Sequence, residues 1–553
     1  MASWSRPSLT LLRALAAPLG FGVVFASILF YPAWLSPREL VPGDPSADCW
    51  SHAFGLRWFA NSLLDGELPY DARGLAFPRG GPLWYVDPVG ALVALPAVVL
   101  GGTGLGYHLE IWVQVLLAAV GGWYYGRQLG GSGLVGAAAV AAAPMILAEY
   151  HNGILEAAWI GFVPLTATAA LRGSRWTGAW IGLATLATPY HGLSASLLAG
   201  YHLLRAAQFR LLLRTVLLGA LLGGGPLVLL GQSFGGENAL EQKPRGMQEL
   251  TLRVNAVDPQ NFVRPGDTWS VDLTDGRAPN FSRTPYLGMI LIAVSLLGLV
   301  RRPREAGVLV VAGLGMVFAL GPYLWWNGDF YRTASGDRVA LPLRYLWPYL
   351  PVNLDHPLRL LGMSITGLAG LAALGAGRAA PAVALLIAAE ALLVAPNRWP
   401  YATCSLQVPA VYRAIREARP EDTRALIDLP ADHHDTAHTQ RYLYWQAIHQ
   451  RPIPYVLKVS GRGIPNFNPA LRTWTGLSLR MPLAPGSPGS VDPSADLGEA
   501  VQALAAEGYG WVVLHPELLT LPESRYFETI NPLLGEPSRL GTAWVWELPE
   551  GGG

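Results

Sequence analysis

The sequence predicts a polytopic α-helical membrane protein with about eleven membrane-spanning helices, followed by a small α/β domain. Three observations favour this fold class. Of the 553 residues, 51% are hydrophobic and only 14% are charged, whereas soluble proteins carry about 25% charged residues. The hydrophobic residues cluster in runs that approach the ~20 residues a helix needs to cross the hydrocarbon core. Finally, arginines occupy the short segments between these runs.

The arginine-bearing loops determine the predicted orientation. The predicted spans are 14–34, 107–126, 133–148, 154–171, 177–193, 194–208, 214–231, 286–300, 306–324, 358–377 and 381–396. With a cytoplasmic N-terminus, the loops after the second, fourth, sixth, eighth and tenth spans all face the cytoplasm. These loops carry Arg127, Arg172, Arg175, Arg205, Arg210, Arg214, Arg301, Arg302, Arg304 and Arg378. The chain therefore follows the positive-inside rule.

One apolar stretch, Val86–Gly102, is left out of these spans. If it crossed the membrane, every later arginine-bearing loop would face outward. It also contains Pro88 and Pro96. We expect a helix or hairpin that lies at the outer interface. The first apolar run, which ends near Tyr31, lacks a small-residue cleavage site, so we expect an uncleaved helix rather than a signal peptide.

The remaining sequence divides into a membrane part and a tail. The topology places the segments 35–106, 232–285, 325–357 and the chain after about residue 397 on the outer face. We predict a transmembrane domain over 1–396, with a large first outer loop at 35–106, and an extracytoplasmic α/β domain over 397–553. In the tail, the apolar pattern predicts helices at Val408–Ala418 and Asp496–Glu507 and strands at Arg424–Leu429, Trp511–His515 and Ala543–Leu548.

Charge and motifs exclude several classes of function. The net charge of +1 indicates no nucleic-acid partner. The sequence contains neither a glycine-rich phosphate loop followed by Lys-Ser/Thr nor a GxSxG motif. Its two cysteines, Cys49 and Cys404, fall on the same face in this topology. The sequence holds no information on the distance between them, and we expect two free thiols.

Acidic residues concentrate in the first outer loop, which reads GDPSADCWSH over residues 43–52. If this segment is helical, Asp44 and Asp48 share one face. Carboxylates at a membrane boundary can act as a general base when their surroundings tune them. Alternatively, they are solvated acids, and Ser46 or Asp48 caps the following helix. Composition alone favours the second interpretation.

The wider sequence resembles a known family. The first outer loop and second span contain GDPxxxxW from residue 43, RWFANSLLDGELP at 57–69, FPRGG at 77–81, DP at 87–88 and GRQLGG at 126–131. Downstream follow DPQNFVRP at 258–265, YLG at 286–288, LGP at 320–322, LPL at 341–343, PLR at 357–359 and YLYWQAIHQRP at 442–452. Together these segments resemble bacterial GT-C-type membrane glycosyltransferases along nearly the whole chain, although each motif alone is degenerate.

The resemblance implies an enzyme that transfers a sugar from a polyprenyl-phosphate-linked donor to a glycan, lipid or protein acceptor at the outer face of the bilayer. An acidic residue in the first outer loop is characteristic of such enzymes, and in several of them it is the base. By position, Asp44 is the first catalytic candidate, Asp48 the second and Asp87 the third. The resemblance does not firmly imply any cofactor. Some GT-C members use a divalent cation and others do not.

Further candidates for substrate binding come from charge and position. A leaving lipid phosphate needs cationic partners at the interface, and the arginines predicted on the outer face are Arg57, Arg79, Arg344 and Arg359. Alternatively, Arg359 snorkels to lipid headgroups, and Arg57 and Arg79 pair with loop acids.

Polar residues at the ends of spans add to this set. Glu149, His151 and His191 lie where predicted spans end, and such groups at membrane depth usually face a cavity. The alternative is an interfacial loop. Trp50 and His52 of the first outer loop complete the candidates for substrate binding. The sequence DHHDTAH at 432–438 carries metal-ligand residue types but no firm fourth ligand, so we expect a polar surface loop and no metal site.

The alternative function is a non-enzymatic transporter or assembly factor for lipid-linked saccharides on the same scaffold. A transporter should place paired charges or broken helices near the bilayer midplane, whereas the predicted spans are apolar in their middles. The arginine bias indicates a bacterial protein. We therefore expect a multi-pass protein of the cytoplasmic (inner) membrane, with a cytoplasmic N-terminus and an extracytoplasmic C-terminal domain.

This topology predicts opposite labelling of two positions. A single cysteine at position 44 should react with a membrane-impermeant thiol reagent added outside, and one at position 303 should react only after the membrane is permeabilised. The reverse pattern would overturn the predicted orientation.

Overall fold

The computed structural model describes residues 9–84, 87–235, 252, 255, 257–265, 284–327, 329–349, 354–395, 399–431, 436–456, 468–477 and 496–550. It divides into two compact units. The first unit comprises Met1–Asp44, Val86–Gly231 and Pro244–Cys404. The second comprises Pro45–Tyr85, Gln232–Lys243 and Ser405–Gly553, so residues 45–85 of the first outer loop belong to the same unit as the tail.

The elements are numbered along the chain. The described α-helices are α1 Leu9–Leu29, α2 Cys49–Leu64, α3 Pro88–Gly101, α4 Thr103–Gln128, α5 Gly133–Ala141, α6 Pro144–Asn152, α7 Phe162–Leu171, α8 Thr177–Ala187, α9 Pro189–Arg205, α10 Phe209–Gly235, α11 Met289–Arg301, α12 Ala306–Ala319, α13 Pro342–Leu346, α14 Leu361–Ala376, α15 Ala380–Leu393, α16 Ala410–Ala418, α17 Thr436–His449, α18 Pro469–Gly476, α19 Leu497–Glu507 and α20 Ser524–Leu534. The strands are β1 Leu40–Pro42, β2 Trp325–Trp326, β3 Asp329–Phe330, β4 Thr403–Ser405, β5 Ala425–Leu429, β6 Tyr509–Leu514, β7 Ser538–Leu540 and β8 Ala543–Glu547.

The first unit is a bundle of apolar helices. In the described part of the chain, four helical stretches are long and apolar enough to cross a membrane, namely Thr103–Gln128, Gly133–Asn152, Phe209–Ser233 and Pro357–Leu393. Shorter apolar helices cover Leu15–Leu29, Pro88–Gly101, Leu155–Leu171, Thr177–Ala187 and Met289–Arg301. The stretch expected to lie at the interface is thus the helix α3, which packs against α4 and α8.

Prolines explain where several predicted spans begin and end. The first helix ends at Leu29, before the turn that contains Pro32, and not at residue 34. The break predicted after residue 193 lies at Thr188, because Pro189 begins α9. Proline favours the first helical turn, where its missing N–H costs no hydrogen bond. Pro144 likewise separates α5 from α6, so one membrane-length stretch contains two helices.

Glycines allow the helices of the first unit to pack closely. A Cβ atom on Gly122 of α4 would overlap the carbonyl oxygen of Gly136 on α5, and one on Gly298 of α11 would overlap that of Leu371 on α14. Small residues at such crossings let helix backbones approach each other, which strengthens van der Waals packing in lipid.

A buried glutamate fixes the start of α11. The carboxylate of Glu390 on α15 accepts hydrogen bonds from the Tyr286 hydroxyl (2.5 Å) and from the backbone N–H groups of Met289 (2.7 Å) and Ile290 (3.0 Å). These N–H groups have no partner within their own helix, and a negative charge is favourable at a helix N-terminus. Glu390 therefore acts as a helix cap supplied by another helix.

The second unit contains a four-stranded sheet with the order β5-β6-β8-β7. β5 and β6 are parallel, and β8 is antiparallel to both of its neighbours. The helices and strands predicted in the tail are confirmed, with bounds that differ by one or two residues. Asp496 caps α19 by accepting hydrogen bonds from Gly498 and Glu499, and Gly508 ends that helix in the left-handed conformation.

The first outer loop contributes helix α2 to this unit, packed against α17. Asn61 donates a hydrogen bond to the Ala447 carbonyl (2.7 Å), and Gln440 donates one to the Asp48 carboxylate (2.8 Å). Both cysteines, Cys49 and Cys404, are disulfide-bonded. The expectation of two free thiols is therefore wrong, because the distance between them depends on tertiary packing that the sequence does not reveal.

A buried polar cluster lies beside β5 and β6. The imidazole of His515 is 3.1 Å from the Asp428 carboxylate and 3.5 Å from that of Glu517. The Tyr412 hydroxyl donates to Asp428 (2.9 Å). Burial by itself lowers the pKa of His515, but the Asp428 and Glu517 carboxylates outweigh burial and raise the pKa above 6.5. Protonated His515 therefore stabilises the folded unit.

The stability contributed by His515 should depend on pH. Because its pKa is raised on folding, this contribution is complete below about pH 6.5 and is lost as the pH rises through the folded-state pKa. We expect His515→Gln to lower the unfolding temperature of the full chain, by an amount that shrinks from about pH 6 to about pH 9. Thermal unfolding in detergent checks this.

His449→Gln is the control for that measurement. Burial lowers the pKa of His449 to about 4, so its imidazole stays neutral throughout this pH range. Because the unfolded chain still protonates this imidazole near pH 6.5, the loss of stability in His449→Gln should change in the opposite sense and grow from about pH 6 to about pH 8. A pH-independent effect of His515→Gln would contradict a protonated His515.

Candidate functional site

Acidic side chains lie at the end of α6 and in the turn that follows it. Pro144 starts α6, and Gly153 ends it with a φ of 69°, a conformation that glycine adopts without strain. The chain then forms a 3-10 helix, Leu155–Gly161. Glu149 and Glu156, one on each side of this turn, are both buried.

Arg359 contacts both glutamates. It lies on the 3-10 helix Pro357–Leu360, which leads into α14. Its guanidinium donates to Glu149 Oε1 at 3.0 Å and Oε2 at 3.5 Å, and to Glu156 Oε1 at 3.1 Å. The forked contact with Glu149 matches the planar geometry of the two groups. Since Arg359 is only 6% exposed, it does not snorkel to lipid headgroups.

Two carboxylates and one guanidinium are buried together in this cluster. Removing such charges from water costs several kcal/mol per ion, and hydrogen-bonded pairing offsets this cost only in part. Ionisable groups buried within a membrane bundle are rare and usually serve a function. The arrangement is therefore a candidate functional site.

Helix α9 adds an aromatic ring and an imidazole. The Arg359 guanidinium carbon lies 5.5 Å from the centre of the Tyr190 ring, a cation–π contact. The Tyr190 hydroxyl accepts a hydrogen bond from the backbone N–H of His356 (2.8 Å). His191, fully buried, has Nε2 2.7 Å from the carbonyl oxygen of Ala157 in the 3-10 helix. These contacts join α9 to both segments that carry the charges.

Asp44 reaches the same helix end through its backbone. Its N–H donates to the carbonyl oxygen of His151 (2.8 Å), and its side chain is partly exposed. The His151 ring makes an edge contact with Tyr401 (5.7 Å), whose hydroxyl donates to the Leu147 carbonyl (3.0 Å). Three predicted candidates, Asp44, Glu149 and His151, are thus brought to one end of α6.

Asp87, the third catalytic candidate, has both carboxylate oxygens engaged. Oδ1 accepts from the Gly90 N–H at the start of α3, and Oδ2 accepts from the indole N–H of Trp159, each at 2.7 Å. The side chain is fully buried. Asp87 therefore caps α3 and ties it to the 3-10 helix Leu155–Gly161.

Most of the other predicted site residues lie in the second unit. Asp48 precedes α2 and accepts a hydrogen bond from Gln440, so Asp44 and Asp48 do not share a helix face. The Trp50 ring packs on Tyr444 and Arg441. The remaining residues of this group are the buried His52, the half-buried Arg57 and the exposed Arg79. Arg344, in the first unit, is exposed and donates to the Tyr323 hydroxyl (2.9 Å).

Sequence reasoning missed some residues of this region as candidates. Glu156, Tyr190 and Glu110 were not among them. Glu110 lies on α4 and is fully buried. The signal available was a charged residue within an apolar stretch, which lipid-exposed sequence avoids. That signal identifies Glu110 and Glu156, but it does not tell which partner each contacts.

No cluster of three or more His, Cys, Asp or Glu side chains suited to a metal ion occurs in the part of the chain that the structure describes. The sequence DHHDTAH falls largely outside the described residues, because 432–435 are not among them. Whether that segment is a plain surface loop stays a prediction.

Solved structures with a similar fold are membrane glycosyltransferases. The arabinofuranosyltransferase AftD from Mycobacteria is 15% identical, with a TM-score of 0.54, over 97% of this chain and 40% of AftD. A mutant AftD structure gives 14% identity and a TM-score of 0.52, over 97% of this chain and 41% of AftD. The chain has the GT-C fold. It is thus a polytopic membrane protein, as the sequence predicts.

The similarity has clear bounds. This chain spans about 40% of the length of AftD, and at these identities the similarity establishes the GT-C fold and not the activity. The oligosaccharyltransferase AglB from Archaeoglobus fulgidus is 13% identical over 92% of this chain and 70% of AglB, with a TM-score of 0.44. No protein-family model matches the sequence, and neither does any curated protein.

The charge cluster of this GT-C fold should be sensitive to loss of its cation. Arg359→Met leaves two buried carboxylates without their partner, and breaking a buried ion pair in this way costs about 3–5 kcal/mol. We expect a clearly lower unfolding temperature in detergent. The triple variant Glu149→Gln, Glu156→Gln, Arg359→Met should regain most of the loss, because no uncompensated charge remains.

Arg344→Met is the matched control, since Arg344 is exposed and its removal should change stability little. An Arg359→Met protein that unfolds at the wild-type temperature would show that Arg359 does not compensate the two glutamates.

Proposed function

We propose that the chain is a glycosyltransferase that transfers a sugar from a polyprenyl-phosphate-linked donor to an acceptor at the outer face of the membrane. The observation that carries this proposal is the buried Glu149–Glu156–Arg359 cluster, joined to the Asp44 loop at the end of α6. The GT-C fold shared with a mycobacterial arabinofuranosyltransferase supports the reaction class. The acceptor is a glycan, lipid or protein.

In the proposed reaction, Asp44 is the general base. Its carboxylate takes the proton of the acceptor hydroxyl while that oxygen attacks the anomeric carbon of the donor sugar. The bond between this carbon and the phosphate oxygen breaks, and polyprenyl phosphate leaves with the bonding electrons. Asp44 suits this role because its side chain is partly exposed while its backbone is held by His151. General bases of this kind contribute typically ~10²–10⁴-fold to the rate.

Arg359 is proposed as a positioning residue. Its hydrogen-bonding groups face Glu149 and Glu156, so it orients these carboxylates rather than clamping a phosphate. His151 and His191 line the same region and are proposed contacts for the donor. The residues of this site supply orientation and a proton acceptor, and no step here passes through a metal ion.

An apolar cavity supports a lipid-linked donor. It has a volume of about 270 Å³ and lies between α11, α12 and α14, with Phe262, Leu287, Leu296, Met316 and Leu368 among its walls. The hydroxyl of Ser295, also in the wall, already donates to the carbonyls of Leu291 and Leu368. A cavity with so little polar surface suits hydrocarbon better than sugar, which is consistent with a polyprenyl chain.

The disulfide supports an extracytoplasmic location for the segments that carry it. Disulfides persist in oxidising compartments and are rare in the cytosol, and Cys49 and Cys404 are both disulfide-bonded. We propose about eleven spans, an inner-membrane location and a cytoplasmic N-terminus. This orientation places the Asp44 loop and the C-terminal domain outside.

A transporter of lipid-linked saccharide is the second candidate. The break between α5 and α6 at Pro144 and the buried charges near it are features that transporters place around a substrate. The partial exposure of Asp44 at a loop favours chemistry at the interface over passage through the bundle.

The test is glycan transfer in membranes that carry the wild-type chain or Asp44→Asn, with polyprenyl-phosphate sugars as donors. We expect Asp44→Asn to lower the transfer rate at least about 100-fold, because the amide cannot accept the proton. Asp48→Asn is the matched control: its carboxylate accepts a hydrogen bond from Gln440 (2.8 Å), which an asparagine oxygen can also accept, so transfer should persist.

Equal amounts of inserted protein must be shown for all three chains. Full activity of Asp44→Asn would remove Asp44 as the base. Movement of intact lipid-linked saccharide across vesicles, without transfer, would favour the transporter.

A further inference from the structure

A second cavity, of about 970 Å³, opens in the second unit. Its lining comes from the loop between residues 71 and 82 and from Gln450 and Pro452, which follow α17. It therefore uses none of the side chains assigned above to the base, the charge cluster or the apolar cavity. Ligand-binding cavities commonly have volumes of ~300–1,000 Å³, so this one has room for a molecule the size of an oligosaccharide segment.

The walls of this pocket are held by backbone hydrogen bonds. Ala76 donates to the Tyr455 carbonyl (3.0 Å) and Phe77 to the Ile453 carbonyl (3.1 Å). In return, Ile453 donates to the carbonyl of Gly74 (2.9 Å). Across the loop, Ala72 donates to Gly81 (3.0 Å). The loop is thus bonded to the segment after α17 as well as to itself, which gives the pocket a preformed shape.

Backbone strain coincides with the pocket. Gln450, in its wall, has a φ of 63°, a left-handed conformation that is uncommon for residues other than glycine. Gln450 directly follows α17 and donates its N–H to the Gln446 carbonyl (2.7 Å), so this conformation ends the helix and turns the chain into the pocket wall. Gly80 has a φ of 61°, and a Cβ atom on Gly74 would overlap the Gln446 amide. The positive φ of Gly80 favours glycine at that turn of the loop, whereas the flexible Gln446 side chain could move to admit a Cβ atom at position 74.

The polar groups of the pocket favour an anion. Arg73 is paired with Asp71 at 2.7 Å, whereas Arg79 forms no ion pair with any residue that the structure describes. Two arginines against one aspartate leave one net positive charge. A guanidinium can donate two parallel hydrogen bonds to a phosphate or carboxylate. An anionic group on the ligand would thus find its partner in Arg79.

The remaining surface suits a polyhydroxylated molecule. Gln450 carries an amide with both donor and acceptor atoms, and Asp71 accepts hydrogen bonds. Phe77, Pro78 and Pro82 supply flat apolar surface. This mixture differs from the cavity between α11, α12 and α14, whose surface is almost entirely hydrocarbon. The pocket therefore matches a sugar rather than a lipid chain.

We propose that this pocket is the subsite for the acceptor and that the acceptor is an anionic saccharide, one that carries a phosphate or carboxylate. This inference rests on the proposed transferase function and names its acceptor class. Arg79 binds the anionic group, and Gln450 binds a neighbouring hydroxyl.

The test is calorimetric titration of the full chain in detergent, without any donor. The probes are maltose 1-phosphate, maltose and inorganic phosphate. Wild type should bind maltose 1-phosphate at least about tenfold more tightly than either of the others, since only this probe engages both Arg79 and the sugar-binding surface. Arg79→Gln should remove this preference over maltose.

Two further variants guard against misfolding. Gln450→Gly keeps the left-handed backbone without strain and should weaken maltose 1-phosphate severalfold. Arg416→Gln changes an exposed arginine on α16, away from the lining residues, and should leave binding unchanged. If the wild type binds inorganic phosphate as tightly as maltose 1-phosphate, the pocket binds an anion and not a saccharide. If it binds maltose as tightly as maltose 1-phosphate, Arg79 has no role in binding. If it binds none of the probes, the proposal is refuted.

The binding test of this pocket can fail or succeed independently of the test of the transferase function. A chain that binds maltose 1-phosphate through Arg79 but transfers no sugar would refute the transferase proposal and leave a saccharide-binding pocket. A chain that transfers sugar to acceptor with unchanged acceptor KM in Arg79→Gln would keep the transferase and refute the pocket.

Discussion

The pairing of Arg359 with Glu149 and Glu156 is the contact on which the described arrangement of the first unit depends. None of the three charges is tolerable alone in an apolar bundle, because an unpaired buried ion costs several kcal/mol. The end of α6, the 3-10 helix Leu155–Gly161 and the segment before α14 must therefore meet.

Helix-breaking residues in the sequence place these charges. Pro144 starts α6 and Gly153 ends it, so that Glu149 and Asp44 lie at one helix end. Pro189 starts α9 with Tyr190 directed to Arg359, and Pro357 starts the turn that carries Arg359 itself. Each break interrupts a stretch that could otherwise have been one longer helix. Such breaks lose backbone hydrogen bonds, and membrane proteins tolerate this loss where the broken segment is buried in protein or lines a cavity.

The sequence predicted the positions of most helices and of the tail elements. It did not predict the features that depend on contacts between segments distant in the chain. Apolar runs located the helices, and caps such as Asp496 located elements of the tail, because both are local signals. Glu149, His151 and Arg359 were candidates since they interrupt apolar sequence. Their pairing and the contact of Asp48 with Gln440 join residues far apart in the chain. Such contacts follow from packing, which no local pattern encodes.

The two cavities differ in the way that the proposed reaction requires, with its lipid-linked donor and saccharide acceptor. A lipid-linked donor is amphiphilic, so it needs hydrocarbon surface next to groups that handle charge, and the first unit has both. A saccharide acceptor is polar throughout and arrives from water, so it needs an open pocket with hydrogen-bonding walls, and the second unit has one. Gln450 ends α17, where its N–H donates to the Gln446 carbonyl (2.7 Å), and its left-handed backbone turns the chain into the pocket wall.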